Sequence, residues 1–413
     1  MKKYIRTERA NLFEPDVYIS MVVKITGDVS KDAMRHAVER AYEANEATMS
    51  EIVLTEQGEA YYKKRANSGC RIFIENKPWK QLLWQSEKEA FHLKDGELVR
   101  VFLTEEDKKL VLFIHAHHLV GDGKSVLILL KDIVNALDGQ QLTYKPMKLI
   151  DRDFLHKKAK LATGMKLLLS RVNRKWEKTG RSFGWEDYYA VHKKYWSEHT
   201  SQIRVQTYDI NKIKAQCPKG ITVNSYMITL LLRDYPTGKT VGVPVSIREE
   251  DKGMSNQTSG IVVKVKYDRK RSFEGNLRTI HKRIYREIRS RNKKYFVLLF
   301  MEYLCPSLTD AVLLQTHGCY QNKLSEKMAR IMGYMGEGGR DLGVTNLNQI
   351  DIPDKYTNFS IESIQFIPPS ISYTKNVIGI GTFQNVLTVT RKVENNYDRD
   401  AIFRELVEKS MRW

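Results

Sequence analysis

Short runs of β-branched, aromatic and aliphatic residues alternate along this chain with stretches whose apolar positions recur three and four apart. The first kind reads as strand, the second as helix. Residues 17–25 form the first strand segment. Gly27-Asp28-Val29-Ser30 is a turn ending in a helix N-cap, after which Ala33, Ala37, Val38 and Ala41 share one helical face. Residues 51–62 predict a hairpin turning at Gln57-Gly58. Residues 98–103 and 109–117 predict another, turning at Glu105-Glu106-Asp107. The second half repeats the mixture. Thr222-Val223-Asn224-Ser225 leads into an apolar helix over 226–232, and residues 240–247 and 261–267 read as strands. Pro244 argues for an edge or a bulge in the first of these. Residues 376–382 and 386–393 predict a hairpin turning at Gln384-Asn385, and a last helix is expected over 398–411. Hairpins and helices mixed in both halves make an α+β protein. A chain of 413 residues exceeds what one hydrophobic core holds, so two domains are expected, 1–200 and 201–413.

Residues 151–196 differ in character. They are basic, with Trp176, Trp185 and Trp196 interspersed, and Leu168, Leu169, Val172 and Trp176 define the apolar face of a basic amphipathic helix. Such a helix packs on its own domain more often than it lies on an anionic membrane. Peripheral membrane contact remains its second use. The net charge of +19 attracts anions: nucleic acid, anionic membrane, an acidic protein or a phosphorylated cofactor. The four cysteines, Cys70, Cys217, Cys305 and Cys319, are scattered, without metal-ligand spacing, and read as free thiols. No apolar run reaches the roughly 18 residues of a membrane span, and no signal-peptide core follows Met1. A cytoplasmic protein is expected.

The candidate chemistry lies at one strand-to-helix turn, His117-His118-Leu119-Val120-Gly121-Asp122-Gly123. An apolar strand precedes it and the apolar segment 126–130 starts a helix after it. If the strand runs on to His118, then Leu110, Leu112, Ile114, Ala116 and His118 share one face, and Val111, Phe113, His115 and His117 the other. The two histidines therefore point opposite ways, and only one meets a given substrate. Histidine suits a proton relay because its pKa lies nearest neutrality. Three other readings compete. His115, His117 and Asp122 could ligate a metal, but the turn offers no fourth ligand. Gly123-Lys124-Ser125 imitates the end of a phosphate loop, but His118 stands where that motif needs its first glycine. The third is a structural histidine pair in a core turn.

His-His-x-x-x-Asp-Gly resembles the signature of acyltransferases of the chloramphenicol acetyltransferase type, which include peptide-synthetase condensation domains and alcohol acetyltransferases. Other segments share the resemblance: residues 243–248 ending in Arg248, residues 254–260, Thr222-Val223-Asn224 and residues 344–353. Together they span both halves. The resemblance implies two similar two-layer α/β lobes, of the chloramphenicol acetyltransferase type, with a tunnel between them and the histidine turn midway. It implies that His118 is the base that deprotonates a hydroxyl or amine, which attacks an acyl thioester. It further implies that His117 and Gly123 support the turn and that Asp122 is structural, paired with Arg248. Thr345 and Asn346 are candidates for the oxyanion or the substrate by their place in a resembling segment. No metal and no permanently bound cofactor are implied; the co-substrate is acyl-coenzyme A or a phosphopantetheinyl thioester. The sequence departs from the family at residues 45–49, where a His-Pro-x-Leu-Arg stretch is common, and it lacks the Asp-Phe-Gly-Trp-Gly of the plant branch.

Three function classes follow. The first is a stand-alone acyltransferase acting on an alcohol or amine, of the kind used in secondary metabolism, expected to be monomeric. Its donor arrives in trans, as coenzyme A or on an acidic carrier protein. The second is a catalytically degenerate condensation-like scaffold. The third, a nucleic-acid binder, rests on charge alone and is the least expected.

Overall fold

The fold is that of a computed structural model, described over residues 2–235, 238–249, 253–336, 339–374 and 376–394. The helix expected at 398–411 lies outside these residues. In chain order the strands are β1 (Lys3–Tyr4), β2 (Tyr18–Gly27), β3 (Ser50–Leu54), β4 (Ala60–Lys64), β5 (Arg71–Ile74), β6 (Val99–Glu106) and β7 (Lys109–His117). They continue with β8 (Ser201–Asp209), β9 (Thr240–Ser246), β10 (Thr258–Lys264), β11 (Leu342–Gln349), β12 (Phe359–Ile367), β13 (Val377–Phe383) and β14 (Val386–Glu394). The helices of the first half are α1 (Lys31–Glu43), α2 (Trp79–Lys88), α3 (Gly123–Leu137), α4 (Arg152–Lys158), α5 (Thr163–Glu177) and α6 (Trp185–Glu198). Those of the second are α7 (Ile210–Gln216), α8 (Val223–Asp234), α9 (Phe273–Arg289), α10 (Arg291–Tyr303), α11 (Pro306–Thr316) and α12 (Lys323–Met332).

Two large sheets organise the molecule. One has the order β12-β2-β7-β6-β5, the other β10-β9-β11-β13-β14-β8, and β1-β4-β3 forms a small third sheet. The alternation along β7 sorts its side chains as the pattern predicts. Leu112, Ile114 and Ala116 enter the main core with Val38 and Ala41 of α1 and Val126 and Leu130 of α3. Val111 and Phe113 meet Trp79, Leu82 and Leu83 of α2 on the other face. The second sheet packs Val241, Val243, Leu342, Val344, Ile378 and Ile380 against α8 and α9. Helix starts are set by side-chain caps. Ser30 accepts from Ala33 N, Thr222 from Ser225 N and Ser272 from Gly275 N. Each satisfies a backbone donor that has no partner in the first turn.

Several expectations change in detail. The β6–β7 hairpin turns at Asp107 and Lys108, both at positive φ, rather than at 105–107. Strand β10 ends at Lys264, short of 267. Pro244 sits where β9 has β10 on one side but no β11 partner, since β11 pairs only Val241 and Gly242. On α5, Leu169 and Trp176 are buried, but Leu168 is 44% exposed and does not belong to the packed face. A cut at residue 200 does not divide the sheets. β12 pairs antiparallel with β2 along residues 359–367. Leu299 of α10, Leu308 of α11 and Met328 of α12 belong to the main core. Thr390 of β14 donates to Phe366 O of β12, so the two sheets are joined where β12 crosses over.

Candidate active site

Three chain segments meet at the histidine turn. The first is the turn itself, a 3-10 turn over His118–Val120 that joins β7 to α3. The second is the loop between β9 and β10, which carries Arg248, Ser255, Asn256 and Gln257 across from the other lobe. The third is the 3-10 turn Arg9–Asn11 near the N-terminus, with Glu8 at its cap.

The turn is held by backbone and by Asp122. His118 N donates to Val17 O at 3.0 Å, and Leu119 N to His117 Nδ1 at 3.2 Å. Gly121 has φ of 146°, which disfavours an L side chain, and a Cβ there would lie 2.4 Å from Ser125 Cβ. At Gly123 a Cβ would approach Leu347 Cδ2 of β11 to 2.9 Å, so the helix start and the second lobe touch there. Asp122 caps α3. It accepts from Ser125 N and Oγ at 3.0 Å, from Gln257 N at 3.1 Å and from Thr258 Oγ1 at 2.8 Å. Arg248 Nη2 lies 2.9 Å from its Oδ1, with both side chains buried. Arg248 also donates to Gly253 O and Ser255 O. Burial alone would raise the Asp122 pKa. The Arg248 charge and the hydrogen bonds from Thr258, Ser125 and Gln257 outweigh it and hold the carboxyl below its usual range. Asp122 is thus an ionised brace between the lobes.

The histidines divide as the alternation requires. His115 and His117 are sealed among Tyr18, Phe91 and Phe113. His115 Nδ1 is bonded to Ser20 Oγ at 2.8 Å. Burial, with the neighbouring His118 and His192, lowers the His117 pKa to about 3, so the ring stays neutral as a cap. No group of three or more His, Cys, Asp or Glu side chains disposed to hold a metal occurs among the described residues.

His118 differs. The residue is partly exposed, where His115 and His117 are buried. Nδ1 is 2.8 Å from Asn256 Oδ1. The Asn256 amide has one orientation available, because its Nδ2 donates to Glu8 Oε2 at 2.6 Å and to His118 O at 2.7 Å. With oxygen facing Nδ1, that nitrogen must carry the proton. Asn11 Nδ2 lies 3.4 Å from Nδ1, too far to compete with the shorter bond. Nε2 is left with its lone pair and has no hydrogen-bond partner among the described residues. Burial lowers the His118 pKa. Asp122, the backbone carbonyl of His118 itself and Asn256 oppose this without cancelling it. The result is a neutral imidazole presenting Nε2 as an acceptor.

Thr345 and Asn346 separate. Leu342 and Val344 face α8 and α9, and Leu347 faces the main core, so Asn346 and Thr345 lie on opposite faces of β11. Asn346 lines, with Asn224, Thr382 and Tyr285, a cavity of about 300 Å³ that His118 does not border. Thr345 shares the Leu347 face, toward the turn. The sequence signals missed Glu8, Asn11 and Tyr62. It placed Asn256 only within a resembling segment.

A condensation-domain family model matches residues 13–251. No curated protein sequence matches the chain. Similar solved structures include the first condensation domain of the CDA synthetase, with 12% identity over 99% of this chain and 96% of that one and a TM-score of 0.63. The trichothecene 15-O-acetyltransferase TRI3 of Fusarium sporotrichioides gives 12% identity over 98% and 93%, with a TM-score of 0.63. A variant of the starter condensation domain of rhizomide synthetase RzmA in complex with C8-CoA gives 11% over 99% and 94%, also at 0.63. At these identities the structures establish a shared fold, of the type found in condensation domains and this acetyltransferase. With more than half of its length matched by the family model, this chain belongs to the condensation-domain family.

Proposed function

We propose that the chain is an acyltransferase that moves an acyl group from a thioester to a hydroxyl or amine, with His118 as general base. The observation that carries this reading is an Nε2 with no hydrogen-bond partner among the described residues, on a neutral ring whose other nitrogen is committed to Asn256. Nε2 takes the proton of the acceptor O–H or N–H as that atom attacks the thioester carbonyl. The tetrahedral intermediate then expels the thiolate as the C–S bond breaks, and the imidazolium returns the proton to sulfur. A thioester is already activated, so the acceptor proton is the main obstacle, and a positioned imidazole supplies roughly 10²- to 10⁴-fold. Holding donor and acceptor end to end between the lobes supplies further rate. Thr345 is the better placed of the two oxyanion candidates, being on the face of β11 that meets the turn. Coenzyme A and a phosphopantetheinyl carrier are both anionic donors that suit a chain of net charge +19.

The test is thiol release from a panel of acyl-coenzyme A esters and acyl carriers, with and without alcohols or amines. Acceptor-dependent release that falls about 10²- to 10⁴-fold in a folded His118→Ala variant is expected. Undiminished release in that variant would remove the assignment.

A further inference from the structure

Glu8 is buried at 7% exposure, with no cation among its hydrogen-bond partners. Its Oε2 accepts from Asn256 Nδ2, the amide that faces His118. Its Oε1 is 2.7 Å from the Tyr62 hydroxyl, which is also 2.7 Å from Leu119 O within the histidine turn. That hydroxyl has one proton and two oxygens to serve. A carbonyl oxygen brings no proton, so all three groups are satisfied only if the carboxyl does. Tyr62 then donates to Leu119 O and Glu8 Oε1–H donates to Tyr62.

We infer that Glu8 is a positioning residue for His118, working as a neutral carboxylic acid that fixes the Asn256 amide and thereby keeps the imidazole proton on Nδ1. The chain of bonds has one consistent direction. Glu8 gives its proton to Tyr62, and its remaining oxygen holds Asn256 Nδ2. The amide oxygen then faces Nδ1, and Nε2 stays unprotonated. The groups that face the carboxyl are Tyr62 on β4, Asn256 in the β9–β10 loop and, through space, Asp122 at the start of α3. Its neighbour Arg9 is turned away, onto Asp310 and Gly58 O. Burial drives the Glu8 pKa up to about 7, with Asp122 adding to the rise and the bonds with Tyr62 and Asn256 opposing it. The proton count at Tyr62 weakens that opposition further.

The role of this tautomer in catalysis rests on the reading of His118 as the base, so the test uses a readout that needs no substrate. Nitrogen-15 chemical shifts of the imidazole distinguish the two neutral tautomers. In the full chain at pH 6.5, His118 is expected as the Nδ1–H form. Its shifts should show an inflection near pH 7 as Glu8 ionises. Glu8→Gln mimics the neutral acid, since its Nε2–H serves Tyr62 and its oxygen serves Asn256. It should keep the Nδ1–H form and lose the inflection. Glu8→Ala should mix the tautomers. With an acceptor in hand it should also lower kcat about 10- to 100-fold at unchanged KM, the range that loss of an orienting partner costs in metal-bound imidazoles. Loss of the Nδ1–H form in folded Glu8→Gln would overturn the inference even if Glu8→Ala fails to fold. So would a pure Nδ1–H form in folded Glu8→Ala. Absence of acyl transfer with these shifts intact would reject the proposed reaction and leave the Glu8 assignment standing.

Discussion

Asp122 and Glu8 are both buried carboxyl groups beside one imidazole, and their surroundings push them to opposite protonation states. Asp122 faces Arg248, two hydroxyls and two backbone N–H groups. Glu8 faces a phenol and an amide. The desolvation cost is common to both; what differs is the compensation. One carboxylate is kept charged and ties the lobes together. The other is the proton-bearing end of a neutral network. The comparison teaches that proximity to a histidine does not define a carboxyl's role, and that the donors it is given do.

The largest effect that would break this contrast comes from removing the cation. Arg248→Ala leaves Asp122 charged and buried without its counter-ion, which typically costs about 3–5 kcal/mol. Chemical denaturation at pH 7 measures it. A loss below about 1 kcal/mol would mean that the hydrogen bonds from Ser125, Gln257 and Thr258 carry Asp122 alone.

A second test separates the two groups by pH. The folded state holds the Asp122 proton less readily than the unfolded chain. Its contribution is full above the ordinary carboxylate pKa and fades as pH falls through the lowered value. Glu8 runs the other way. Its folded pKa is raised from 4.5 to about 7, so its contribution is full below 4.5 and fades as pH rises to about 7. Glu8→Gln carries no such dependence. Relative to wild type, it should therefore gain stability between pH 4.5 and 7, on the order of 3 kcal/mol for a shift of this size, and gain nothing more above. Urea unfolding of both proteins at pH 5 and pH 8 checks it. An equal difference at the two pH values would place an ionised carboxylate at Glu8.

The same contrast explains what could be read from the chain. The histidine turn was legible because its parts are local: a strand of period two, two adjacent histidines and glycines where the backbone needs them. Asp122 and Arg248 are far apart in sequence, and only the family resemblance linked them. The Glu8 network left no pattern, because a carboxyl, a phenol and an amide in three distant segments carry no periodicity. The crossing strand β12 was missed for a related reason. Its register shifts between Ile361 and Ser363, so the apolar positions Phe359 and Ile361 fall out of step with Ile364 and Phe366. Its partner β2 lies far away in the other half.

The smallest effect sharpens the neutral side of the comparison. Tyr62→Phe removes one hydroxyl and keeps the ring in the main core. Two groups then lose their partner together: Leu119 O in the turn and the Glu8 proton. Leaving buried polar groups unsatisfied costs about 1–3 kcal/mol, less than stranding the Asp122 charge. The loss should persist in a Glu8→Gln background, because the glutamine amide donates to the same phenol oxygen. It should shrink where Glu8 is replaced by Leu, since only Leu119 O remains to be left bare. A Tyr62→Phe protein as stable as wild type would mean that the hydroxyl does not bridge the two oxygens. Glu8 could then be ionised like Asp122, and the difference between the two carboxyls would disappear.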